Sequence, residues 1–198
     1  MHVHRVTAAA GFVCAALLVV SSARRAGFLP ETAFTHAIAP FGALTGLLAI
    51  TGIYLLIRKT AGGLGLVGYV LNSAGLAGAF AIEYILHFVF PYLSGGTVNE
   101  LLAGGTGRAF LVTSVVLLAG VLTFSAAAIR SGAMPALGVV LYAVGMVPGS
   151  LRNVVPLPVY LIGLVVASVG VAWMSARLWA AEEELVTSSP RTGVRPTA

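Results

Sequence analysis

Charge is what this sequence lacks most. Only 9% of its 198 residues are Asp, Glu, Lys or Arg, where a soluble domain carries about a quarter. Aspartate is absent, and lysine occurs once against ten arginines. A chain that is 59% hydrophobic, with a mean hydropathy of +1.01, cannot hide its apolar surface from water, so a bilayer must solvate most of it. The single cysteine, Cys14, excludes an intramolecular disulfide and a cysteine-ligated metal cluster. There is no Gly-x-Ser-x-Gly elbow, no His-Glu-x-x-His, no Walker loop and no pair of carboxylates within a hydrophobic run. Hydrolase, zincin, ATPase and paired-carboxylate chemistry therefore have no footing in the sequence. The net charge of +5 and pI near 9.9 come from scattered basic residues rather than a stripe or block, so nucleic acid is not an expected partner.

What the chain has is hydrophobic length. Apolar runs cover 6–22, 38–57, 64–90, 109–129, 134–150 and 156–179. At about 20 residues per crossing, six spans take up roughly 120 residues and leave only short connections. The expected fold is an all-α, polytopic transmembrane helix bundle of six spans. It forms one domain over 1–180, followed by a Ser, Pro, Thr and Gly-rich tail, 181–198, expected to be disordered in the cytoplasm. The first run is the weakest. It ends in Ser21-Ser22-Ala23, which also suits signal-peptidase cleavage, and five spans remain if it is removed.

Sidedness follows from basic residues. With the N-terminus inside, Arg5, Arg58, Lys59, Arg130, Arg177, Arg191 and Arg195 lie on the inner side; Arg24, Arg25, Arg108 and Arg152 lie outside. Seven against four points to an inner (plasma) membrane protein with both termini cytoplasmic. Tyr54, Tyr92, Tyr160, Trp173 and Trp179 near span ends fit interfacial anchoring. Asn99-Glu100-Leu101-Leu102 is expected to form a short interfacial turn in the 92–107 connection.

Glycines recur seven residues apart, two helical turns, at Gly68 and Gly75, Gly138 and Gly145, and Gly163 and Gly170. Gly42 and Gly46 add a small-xxx-small pair. Such faces allow backbones to approach closely, within the chain or against a second copy or another membrane protein. The Gly68–Gly75 segment resembles Gly138–Gly145 seventy residues on, which is either an internal duplication of spans two and three as four and five or coincidence among 24 glycines. Gly63-x-Gly65-x-x-Gly68 matches a dinucleotide fingerprint but follows no strand. Leu93-Ser94-Gly95-Gly96 resembles an ATPase signature without its Walker loop.

The chemistry-bearing residues concentrate in span three. At 100° per residue, Tyr69, Asn72, Glu83 and His87 fall within about 60° of one another. Glu83 is roughly 9 Å outward of the middle of its span, where a charge is costly and must be neutralised, paired or hydrated. Arg108 and Arg152 enter the membrane region at the same end and are its expected partners. The cluster is therefore a candidate ligand or proton site, or a set of groups that satisfy one another and fix helix register. His36 begins span two at similar depth, so His36, Glu83 and His87 also form a candidate metal set, and paired histidines a candidate haem site. None matches a recognised ligand spacing, and no cofactor is expected.

The stretch from Gly46 to Tyr92, the segment around Arg130-x-Gly132-x-x-Pro135 and the closing VGVAWMSARLW resemble a group of small bacterial polytopic membrane proteins of unknown function. The resemblance covers about two thirds of the chain; it implies a helical bundle and supplies no activity or cofactor. Three functions stay open: a non-enzymatic membrane subunit or interaction protein, a small proton-coupled carrier working through Glu83, and a membrane-embedded metal or haem protein.

Overall fold

A computed structural model describes residues 3–152 and 154–188. Among the described residues there are helices and no strands: α1 (Val3–Arg25), α2 (Ala33–Ile38), α3 (Phe41–Phe88), a 3-10 turn (Phe90–Tyr92), α4 (Gly95–Ala103), α5 (Gly105–Ser131), α6 (Ala136–Ser150) and α7 (Leu157–Ser188). Four segments are long and apolar enough to cross a membrane: Val3–Arg25, Ala33–Tyr92, Gly105–Ser131 and Leu157–Glu183. The apolar α6 has only 15 residues.

The segment holding the expected spans two and three is one 48-residue helix interrupted at Gly62, whose φ of 57° and ψ of −153° are not helical. A side chain is strained at that φ, and glycine is not. Gly62 reverses the chain. A straight helix would hold Gly46 and Leu76 roughly 45 Å apart, yet a methyl group on Gly46 would lie 3.8 Å from the Leu76 side chain. Tyr54 and Tyr69, on opposite arms, stack at 4.4 Å and 7°, and Thr51 meets the Tyr69 hydroxyl at 3.3 Å. Helix α3 is thus an antiparallel hairpin with Arg58 and Lys59 just before its tip.

The helices close a cycle: α1 packs on α3 and α7, α3 on α5, α5 on α6, and α6 on α7. The expected packing glycines sit at these seams. A methyl on Gly68 would come within 2.6 Å of the Phe124 backbone, and one on Gly75 would collide with Leu117. Gly145 and Gly170 meet the backbones of Ala167 and Tyr142, while Gly163 faces Pro148 and Gly138 faces Trp173. Gly42 and Gly46 receive Leu17 and Cys14 of α1. These contacts are all within the chain. Between the pairs lies an apolar core that includes Ile53, Ile57, Val121, Phe124, Met174 and Leu178.

Asn72 and Tyr142, each buried, bond to one another across the bundle: the amide nitrogen donates to the phenol at 2.9 Å, and the phenol donates to the amide oxygen at 3.2 Å. They are 70 residues apart, and occupy matching places in the two similar glycine segments. In both segments the helix packs on the one that follows it, the second arm of α3 on α5 and α6 on α7.

The tail expected from residue 181 begins instead as helix, because α7 runs on to Ser188; residues 189–198 lie outside the described residues. Ala180, Ala181 and Glu182–Glu184 favour a helix, and the end is tied to α1. Arg5 lies 3.7 Å from Glu183 and over the Trp179 ring, whose indole N–H donates to Glu183 at 3.2 Å. The interfacial turn expected at Asn99–Leu102 lies within nine-residue α4, capped by Ser94 Oγ accepting from Thr97 N–H.

Gly75→Val should lower the unfolding free energy in mixed micelles by about 1–3 kcal/mol, the usual cost of forcing bulk into a packed seam. Gly63→Ala, with open space around it, should leave it unchanged. Equal stabilities, read by circular dichroism, would show that α3 and α5 are not in close contact.

Candidate functional site

The end of the bundle that holds Glu83 gathers side chains from four parts of the chain. The first part is the C-terminus of α1. Gly27, at φ 82°, ends that helix in a Schellman turn in which Phe28 N–H bonds the Ala23 carbonyl at 2.9 Å. Arg24 and Arg25 therefore fall in the last turn, where the helix dipole favours cations. The chain next enters α2 through a capping box: Thr32 and Thr35 each accept the other's backbone N–H. One turn of helix then carries His36 to the cluster. The second arm of α3 supplies Glu83 and His87, i and i+4 on one face. The connection after α6 supplies Arg152.

Glu83 is the hub. One terminal nitrogen of Arg25 donates to both carboxylate oxygens at 2.9 Å; Arg152 reaches Oε1 at 3.3 Å, and His87 Nε2 lies 3.2 Å from Oε2. Arg25 is held in turn by Ser21 Oγ at 3.4 Å and by the Tyr160 ring, 5.7 Å from its guanidinium. Arg24, almost wholly buried, pairs with Glu31 at 3.1 Å and contacts His87 Nε2 at 3.3 Å. The loop and α2 complete the set: His36 Nδ1 and His87 Nδ1 are 2.8 Å apart, and His36 Nε2 is 4.0 Å from Glu31. Burial and neighbouring Arg25 lower the Arg152 pKa, which Glu83 opposes; a guanidinium stays charged regardless.

The two histidines share one proton position between their Nδ1 atoms. If His87 carries a proton on Nδ1, it donates to His36 and its Nε2 accepts from Arg24. If the proton sits on Nε2, His87 donates to Glu83 and accepts from His36. Both tautomers are hydrogen-bonded, so the chain His36–His87–Glu83 is a continuous hydrogen-bonded path to the carboxylate, while Glu31, 4.0 Å from His36, lies beyond hydrogen-bond reach of it.

Two cavities meet at Glu83. A central, apolar one of about 130 Å³ runs inward past Cys14, Ile53 and Leu76 to Tyr142 and Met174. A wider groove of about 500 Å³ lies between the second arm of α3, the start of α5 and the end of α6. Glu83, Leu117, Gly149 and Tyr160 line both.

Of the residues expected at the site, Glu83, His87, Arg152 and His36 come together. Tyr69 and Asn72 do not. Asn72 is eleven residues from Glu83, roughly 16 Å along the helix, and it belongs to the Tyr142 bond; Tyr69 belongs to Tyr54 and Thr51. Arg108 pairs with none of the described residues and is exposed. Tyr160, expected at the interface, is 5% exposed beneath Arg25. His36 and His87 bond to each other directly, and among the described residues no group of three or more His, Cys, Asp or Glu is arranged to hold a metal ion. Sequence reasoning missed Arg24, Arg25 and Glu31. Their signal was the Arg-Arg pair at a helix end with an acid seven residues on. No family model matches this chain, and comparison with curated proteins and with solved structures gives no match either.

Removing one partner of a buried ion pair costs about 3–5 kcal/mol, so Arg25→Gln should destabilise the protein strongly, and so should Glu83→Gln. In the double variant the losses should fall short of additive by at least about 1.5 kcal/mol. Additive losses in detergent unfolding would mean that Arg25 and Glu83 are not coupled.

Proposed function

We propose that this chain is a six-span plasma-membrane protein, with both termini in the cytoplasm, that acts as a small proton-coupled carrier through Glu83 and His87. The observation that carries this is the position of Glu83 at the junction of the two cavities, in a hydrogen-bonded chain that runs through His87 to half-buried His36. A purely structural subunit has no need to place a carboxylate against two cavities, and a lipid-buried acid is a functional group by default. The reading is of a non-enzymatic carrier and invokes no cofactor.

Six crossings require α3 to cross twice and α6 to cross once. The reversal at Gly62 supports the first. For the second, α6 is about 22 Å long, short of the roughly 30 Å hydrocarbon layer, and local thinning or the following connection makes up the difference. Retention of the first span is supported by Ala8, Cys14 and Ala15, which it contributes to the core. The Arg58–Lys59 pair at the hairpin tip supports an inward tip, which turns Glu83 outward. Tyr142, which lines the central cavity and is held by Asn72, is the expected inner gate.

The test is proton uptake into liposomes loaded with a pH-sensitive dye under an imposed potassium diffusion potential. Wild-type protein should acidify the lumen faster than protein-free liposomes do. Glu83→Gln should cut the protein-dependent rate at least about tenfold, equivalent to 1.4 kcal/mol. Wild-type rates equal to those of empty liposomes, across a panel of added small solutes, would sink the carrier reading.

A further inference from the structure

The groove between α3, α5 and α6 differs from the central cavity in what lines it. Its walls are apolar, with Leu86, Leu102, Leu111 and Val154 among them, and the last three are exposed at the bundle surface. It therefore opens sideways, to whatever solvates the apolar surface. Its closed end is polar. Ser150 lines it with a buried Oγ that has no hydrogen-bond partner among the described residues. The Tyr160 hydroxyl beside it also makes no bond among them. Arg152 lines it too, spending one nitrogen on Glu83 and making no other hydrogen bond among the described residues.

Charge at this end is not balanced. Arg24, Arg25 and Arg152 give +3; Glu31 and Glu83 give −2, leaving +1 with both histidines neutral. Arg25 donates to both Glu83 oxygens and Arg24 is tied to Glu31, so the surplus falls on Arg152. Arg108, next to the groove-lining Gly107 and free of any partner among the described residues, adds a cation at the rim that Glu100 of α4 offsets in the count, so the surplus stays at +1. A cleft of this volume, mostly apolar with a few convergent polar groups, has the form of a ligand pocket. Guanidinium with spare donors is the usual partner of a phosphate.

We propose that this groove holds one anionic phospholipid of the surrounding leaflet. Its phosphate sits on Arg152 and Ser150 Oγ, and an acyl chain lies along Leu86, Leu102 and Leu111. The lipid covers the lateral opening beside Glu83 and neutralises the surplus charge. This inference rests on the membrane-spanning part of the functional reading but not on transport.

Native mass spectrometry of the detergent-purified full chain, titrated with dioleoyl phosphatidylglycerol or dioleoyl phosphatidylcholine, tests it. A one-to-one phosphatidylglycerol adduct is expected, about fivefold tighter than with phosphatidylcholine, the worth of one arginine near a charged lipid surface. Arg152→Ala should remove that preference. Since this variant also loosens Glu83, Leu111→Trp serves as a second probe; it fills the groove from its exposed wall, leaves the ion cluster intact and should abolish the adduct with either lipid. No adduct, equal affinity for the two lipids, or an adduct indifferent to both variants overturns the proposal. Adduct formation in a protein that moves no protons would refute the carrier reading alone, and proton movement without an adduct would refute the lipid site alone.

Discussion

The structure depends on the cost of holding one carboxylate in a low-dielectric bundle. Glu83 cannot face hydrocarbon as a charge, and it is not left to do so: cations converge on it from α1 and from the connection after α6, with His87 closing the remaining side. Those contacts tie together elements that are far apart in sequence, 58 and 69 residues from Glu83. They also fix the end of α1 over the end of α3, which is where the loop to α2 must start. The position of His36 follows from that start and from the threonine capping box. A single costly group thus organises one whole end of the molecule.

The rest of the bundle is organised by the opposite condition, the absence of side chains. Without a hydrophobic drive between helices in lipid, association relies on close packing, and glycine seams make it possible. They generate two tight pairs, the second arm of α3 with α5, and α6 with α7. The pairs face one another across the Asn72–Tyr142 bond, and α1 and the first arm of α3 cover their side to enclose the central cavity, whose lining runs from Cys14 and Ile53 to Tyr142 and Glu83.

Much of this was legible in the sequence, and the misses have physical causes. Helix positions, the Gly seams and the meeting of Glu83 with Arg152 and His87 followed from period, spacing and charge cost. Asn72 and Tyr69 were grouped with Glu83 because an angular projection discards depth, and a helix rises 1.5 Å per residue. Two side chains can share a face and still be three turns apart. Arg24 and Arg25 were read as loop charges that report sidedness, which hid them as the partners of Glu31 and Glu83. The helix through Ser188 was missed because composition over 181–198 averages a helix-forming start with a Pro, Thr and Ser-rich end, and because the contacts of Trp179 and Arg5 are tertiary.

The same misreading bears on orientation. In the proposed orientation four arginines lie outside, against the tendency of basic residues to stay in the cytoplasm. Three of them, Arg24, Arg25 and Arg152, are committed to Glu31 and Glu83. Arg25 and Arg152 are there for a reason other than topology: an acid in the membrane that needs them. Setting those two aside leaves Arg24 and Arg108 outside, against Arg58, Lys59 and the rest within. The bias then becomes steeper than the bare seven-to-four count. The pairing of Glu83 thus supports the site and also removes the main objection to the direction in which that site faces.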